Sequence, residues 1–385
     1  MTTAPPLPAA TLPSKARPQV VLRGRPIPVV LPKWSDPRLK LSATIFTLTF
    51  LGLTILNFQV SIPQILVCVL LSAVMESVVT YRRERVLVWP ASAIQTGISV
   101  AFIFRVGGTQ HADFWSVQGL HLFVLVVLLS LLPKYLLRLN NRHIFNPSNI
   151  GLAWGLLLIG PSHVFSEHLW WAPLGAPVLI AMAVILGGAF WVLRQVRMIP
   201  MVSAFLATFA VLIAIFAVSG RSYYAIWHDG PVGGSFYWLT IALSPELLIF
   251  AFFMITDPQT APKDRLARMI YAVTTAVVAA GLIVVQPTEF GIKLAILSSL
   301  VLTCALVPLF EAVSRWVRDR RKGASPPAPA AAQAPLGRRL VLAVRNPVLV
   351  AVVVIAVAAP VNTALLARDD KIVLIERGLT TRNVQ

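Results

Sequence analysis

From about residue 41 to residue 310, long apolar runs alternate with short polar loops. A helix needs roughly 20 mostly apolar residues to cross the hydrocarbon of a bilayer. On that measure the pattern predicts spans at about 41–59, 62–79, 86–105, 116–137, 147–160, 174–193, 200–219, 237–256, 267–285 and 290–310. The expected fold class is an all-α polytopic membrane protein of about ten transmembrane helices, arranged as two five-helix halves. A very short turn around Gln59 and Pro63 makes the first two spans an antiparallel hairpin. A further apolar stretch at 346–360 is short and ends at Pro360. It either forms an eleventh, C-terminal membrane helix or lies at the interface.

The flanks differ from this core. Residues 1–38 begin rich in Pro and Ala without an early hydrophobic stretch, and read as a disordered cytoplasmic tail rather than a cleaved signal. Residues 39–311 form the ten-helix membrane domain in this reading. A basic, Pro/Ala-rich linker at 312–339 then joins it to a C-terminal appendage at 340–385.

Composition supports the membrane reading, since the chain is 57% hydrophobic and only 12% charged. A soluble domain needs more charge than that to cover its surface. The formal net charge of +18 would suit a nucleic-acid binder, but its placement argues against one. With the N-terminus cytoplasmic, 26 of the 33 Lys and Arg residues fall in the regions on that side. Membrane topology accounts for such alternation, and the lipid bilayer rather than nucleic acid becomes the expected partner.

Little points to metal or thiol chemistry. Cys68 and Cys304 are isolated within apolar runs and cannot supply a four-thiolate cluster. His163 and His168 share a loop at a spacing of five, a poor helical ligand pair, so no metal site is expected. The chain carries no catalytic motif and no nucleotide-binding glycine loop, so no catalytic residue is assigned.

Two polar motifs and two carboxylates carry the candidate chemistry. In HIFNPSNIG, Asn146 and Pro147 suit a helix start, and Ser148 and Asn149 extend the polar cluster. The N–H groups there are either an ordinary helix start or a cradle for a phosphate. In FFMITDPQTAP, Thr256 and Asp257 close a span ahead of Lys263, Arg265 and Arg268. That stretch is either a turn with its basic anchor or a polar mouth. Glu76 and Glu246 lie within apolar spans, where an ionised carboxylate needs a partner or a proton. With Asp257 they are the candidates for an ion or proton path. Arg105, at the end of span three, reads as an interface anchor or an anion ligand.

Through these two motifs the chain resembles the NqrB/RnfD membrane family, whose members serve the sodium-translocating NADH:quinone reductase and the Rnf electron-transport complex. Within it, the chain is most similar to the UnbU-like branch associated with enediyne biosynthesis. The resemblance covers roughly residues 40–310. It implies a ten-helix domain of two five-helix halves in a bacterial cytoplasmic membrane, with redox or biosynthetic partners in a membrane complex. It also implies a flavin-linked electron-transfer subunit coupled to sodium or proton movement. Asn146, Pro147, Ser148, Asn149, Thr256 and Asp257 become the expected cofactor-binding residues. Family members attach FMN to a threonine in a Ser/Thr-Gly-Ala-Thr sequence, which this chain lacks. Covalent FMN is therefore not expected, and non-covalent FMN or riboflavin is the cofactor the resemblance leaves. The alternative is a transporter or channel-like protein for a small solute or natural product, without redox chemistry.

Overall fold

The computed structural model describes residues 18–22, 25–139, 142–171 and 173–321. The appendage at 340–385, its apolar stretch and most of the linker lie outside the described residues, as do residues 1–17. Strands β1 (Gln19–Leu22) and β2 (Arg25–Val30) form an antiparallel hairpin within the segment read as a tail. Helix α1 (Pro37–Thr54) follows, capped by the Asp36 carboxylate, and then α2 (Ile62–Glu84). Ser61 and Gln64 close a reciprocal capping box at the start of α2. The short β3 (Leu87–Val88) pairs in parallel with β2.

Next come α3 (Ala91–Ile103), β4 (Phe104–Val106) and α4 (Leu120–Leu136). Strands β5 (Arg138–Leu139) and β6 (Arg142–His143) lead into α5 (Pro147–Ile159). Strand β7 (Val164–Ser166) returns antiparallel to β4. Helices α6 (Ala176–Val196) and α7 (Ile199–Val218) are then followed by the hairpin of β8 (Ser222–Tyr224) and β9 (Pro231–Gly233). The next apolar stretch is interrupted. It consists of α8 (Gly234–Ala242), α9 (Pro245–Ile249) and a π-helical turn at Phe250–Met254. The chain continues through α10 (Arg265–Ile283), α11 (Glu289–Ala305) and α12 (Val307–Arg321).

The expectation of about ten membrane-crossing helices in two five-helix halves is not met. Among the described residues five helical stretches are long and apolar enough to cross a membrane: α2, α6, α7, the interrupted Gly234–Met254 stretch, and α10. Counting the pair α11 and α12, bent by 53°, as one span gives at most six. Hydropathy overcounts because apolar residues also fill strands and loops. Residues 86–90 and 104–105 contributed to an expected span, yet they lie in β3, β4 and the intervening loop. At 1.5 Å per residue, the 13 residues of α3 or α5 rise about 20 Å, against a hydrocarbon core of about 30 Å. Helix α4 begins only at Leu120, after Gly119 in a left-handed conformation. The first turns of α1 carry Arg38 and Lys40, which shorten its apolar run.

The helices divide by what they face. Helix α2 has only 17% of its apolar window buried, and Leu66, Leu70, Val74 and Val78 form an exposed stripe at helical spacing. Such a stripe suits contact with lipid. The Gly234–Met254 stretch is 72% buried, and nearly every residue of α11 is enclosed by protein. Helices α4 and α5 approach closely through Gly151 and Gly155. A Cβ at Gly151 would lie 1.8 Å from Ser130 Oγ, and one at Gly155 would lie 2.5 Å from a Val126 methyl. A small residue every fourth position on α5 thus lets two helices pack at close range.

Candidate functional site

The two sequence motifs meet in space. Asn146 caps α5, its side-chain oxygen accepting from the Asn149 N–H at 3.2 Å and the Ser148 hydroxyl at 3.0 Å. Its amide donates to the Met254 carbonyl at 3.2 Å, at the end of the π-helical turn. A π turn widens the helix and offsets its carbonyls, which leaves an acceptor for Asn146 at that position. The Asn149 amide donates at 2.8 Å to the carbonyl of Leu297 in α11. Pro147 occupies the first turn of α5, where no intrahelical N–H is needed. These residues tie α5 to the two most enclosed parts of the fold.

Asp257 lies just beyond, in the turn after the π segment. Its carboxylate accepts from the Gln259 N–H at 3.0 Å and the Thr260 hydroxyl at 3.4 Å, and lies 3.4 Å from His143 Nε2. Burial by itself would raise its pKa. The hydrogen bond and charge of His143, with the Gln259 and Thr260 donors, nevertheless hold it below the ordinary carboxylate range. Thr256 donates at 2.5 Å to the Phe252 carbonyl, which serves the helix end. Arg142 donates to the Pro258 carbonyl, and so fastens β6 to the same turn. Glu76 lies on α2, where the Lys134 ammonium of α4 donates to its carboxylate at 3.0 Å and to the Ser92 hydroxyl at 3.1 Å. Lys134 lies in the last turn of α4, just before the β5–β6 hairpin whose His143 meets Asp257. Glu76 and Asp257 therefore belong to one basic end of the molecule.

Glu246 does not join them. It sits in the first turn of α9, where Ser244 caps the helix and Pro245 opens it. One carboxylate oxygen accepts from Trp171 Nε1 at 3.2 Å. The indole is held edge-on by Phe58 and Phe102, with centroids 5.4 and 5.3 Å away. Nearby is a cluster of buried charges that the sequence reading largely missed. Arg105 Nη1 donates to Glu167 at 2.5 Å, and its Nη2 donates to Gln59 at 2.9 Å. Glu289 accepts from the Leu169 N–H at 2.5 Å and from Trp227 Nε1 at 2.9 Å, and lies 3.2 Å from His168 Nδ1. Lys293, one helical turn along α11, lies 3.9 Å from Glu289.

Arg105 was singled out in the sequence, but Glu167, Glu289 and Lys293 were not. Their signal was a Glu–Lys pair at i, i+4 opening an apolar helix, beside a Glu–His pair in a loop. Two cavities of about 20 Å³ flank Lys293. One is bounded by Glu246, Phe250, Met254 and Leu297, and the other by His168 and Glu289. Each has room for about one water. Among the described residues no group of three or more His, Cys, Asp or Glu side chains is arranged to hold a metal ion.

The comparisons bear on the half of the chain that holds most of these groups. Residues 165–319 match the NQR2, RnfD, RnfE family. Over 149 residues the chain is 30% identical to the D subunit of the ion-translocating oxidoreductase complex of Halorhodospira halophila (strain DSM 244 / SL1). That alignment covers 39% of this chain and 36% of the relative, so the likeness spans about a third of the relative's length. The expected resemblance over 40–310 is thus supported for its second part, at family level and not for a particular branch. With the five membrane-length helices, the match marks a multi-pass membrane protein. Glu167, His168, Glu246, Asp257, Glu289 and Lys293 all lie inside the matched segment.

Proposed function

We propose that this chain is the ion-moving membrane subunit of an electron-transfer complex, anchored in a bacterial cytoplasmic membrane with its N-terminus inside. The observation that carries the reading is the family match over residues 165–319, because that segment also holds the buried charges. An ionisable group inside a membrane protein is costly unless it serves a path or has a partner. Here such groups occur within and just beyond the interrupted, enclosed Gly234–Met254 stretch. Glu246 lies inside it, and Asp257, with Glu76, stands past its C-terminal end.

A flavin fits this chain poorly at the residues expected to hold it. The side chains of Asn146, Ser148 and Asn149 are buried and donate inward to protein acceptors. The two cavities beside Lys293 are water-sized, whereas a site for a molecule as large as a flavin runs to several hundred Å³. We therefore assign the electron carrier to partner subunits and give this chain the ion path.

The test is to purify the chain with its native partners, reconstitute the assembly in vesicles and add NADH. Ion uptake that begins only with the donor is expected, with flavin recovered from the assembly and not from this chain alone. Ion or solute flux at the same rate without any donor would overturn the reading.

A further inference from the structure

The buried cluster around Lys293 bears on which ion moves, granted the reading of this chain as an ion-moving subunit. Lys293 is 5% exposed, and its ammonium makes no hydrogen bond among the described residues. Its nearest charged oxygen, on Glu289, is 3.9 Å away, beyond hydrogen-bond reach. A buried ammonium with three donors and no acceptor is costly. The cavity it shares with Glu246 has space for about one water, and the second oxygen of Glu246 has no partner among the described residues. One water placed there would accept from one group and donate to the other.

We propose that Glu246 and Lys293 share a proton across that water, so that the ion passing this point is a proton and not sodium. In the transfer, the protonated Glu246 carboxyl gives its proton to the water, and the water gives one of its own to the neutral Lys293 amine. This leaves a carboxylate, an ammonium and an unchanged water. The reverse step restores the first state.

The Lys293 ammonium on the wall of this cavity opposes entry of a second cation. A hard cation takes a shell of oxygen ligands. Both oxygens of Glu289 already accept N–H donors from His168, Leu169 and Trp227. Glu167 accepts from Arg105 and from the His168 N–H, and its other oxygen is buried without a partner among the described residues. Lys293 itself fills the position of positive charge. The charged and titratable groups facing Glu246 are Lys293 and Glu289 from α11 and Glu167 from the loop beyond β7. Arg105 from β4 and His168 complete the cluster. The cavity wall also includes Met254 and Leu297, whose carbonyls receive the Asn146 and Asn149 amides. Asn149 Oδ1 is buried without a partner among the described residues.

Infrared titration of the full chain in lipid vesicles tests this without any electron donor. The protonated-carboxyl band should disappear through one transition as pH rises, with the same midpoint in sodium and in potassium buffers. Glu246→Gln should remove the band, and Lys293→Gln should move the midpoint by about one pH unit or more. The wild-type comparison of sodium with potassium needs no variant, so a misfolded Lys293 variant leaves the test intact. A midpoint that shifts with sodium would overturn the proposal, as would a band that survives in Glu246→Gln or is absent throughout. None of these outcomes depends on whether the chain belongs to a redox complex, which donor-driven uptake decides separately.

Discussion

At the basic end, Asp257 is partly open and meets a histidine, an N–H and a hydroxyl, all neutral or titratable partners. At the other end Arg105 and Glu167 are enclosed and rely on each other, with Glu289 and Lys293 beside them. The first arrangement is a capped turn that tolerates change. The second holds full charges away from water, where losing one partner strands the other. The two ends should therefore respond to mutation on different scales.

The largest effect is expected at the enclosed end. Arg105→Ala leaves Glu167 uncompensated and should cost about 3–5 kcal/mol of stability, read by denaturant unfolding in detergent. Replacing both residues, Arg105→Met with Glu167→Leu, should recover most of that loss. A double variant no better than the single would show that the pair is not isolated in this way. Next in size is Gly151→Leu. The added side chain meets Ser130 on α4 and should cost about 1–3 kcal/mol by the same measurement, while Gly187→Ala on α6, with open space around it and an ordinary backbone, should not show that clash.

At the basic end the expected effects are smaller. Asn146→Ala removes the α5 cap and should cost about 1 kcal/mol. A loss as large as that of Arg105→Ala would erase the contrast between the two ends. The smallest effect is one of pH. Asp257 has a folded-state pKa below its unfolded value, so its stabilisation is complete above the ordinary carboxylate pKa of about 4. That stabilisation is lost as pH falls through the lower folded value. Asp257→Asn should flatten this part of the acid-unfolding curve, and an unchanged curve would place the dependence elsewhere.

How far the sequence carried the reading differs between these ends as well. Asn146, Pro147 and Asp257 announce themselves through local turn and cap chemistry, and such signals survive without knowing the fold. The helix start at Asn146 was legible for that reason. Membrane-crossing length was less legible, because hydropathy counts Phe104 and Val88 alike whether they extend a helix or pair in a strand. The enclosed cluster was hardest to see. Arg105, Glu167 and Glu289 are separated by 62 residues or more, and only the pairing of β4 with β7 brings the first two together. Glu246 was found as a carboxylate in an apolar run, but its partner Trp171 and its cavity are tertiary facts.

The most direct test of an ion path through this chain is donor-driven uptake by vesicles carrying the partner-bound assembly, with wild-type chain and with Glu246→Gln. NADH-dependent uptake is expected in the wild type and its loss in the variant, with the assembly intact. Uptake at the wild-type rate in Glu246→Gln would contradict the placement of the ion path through this chain.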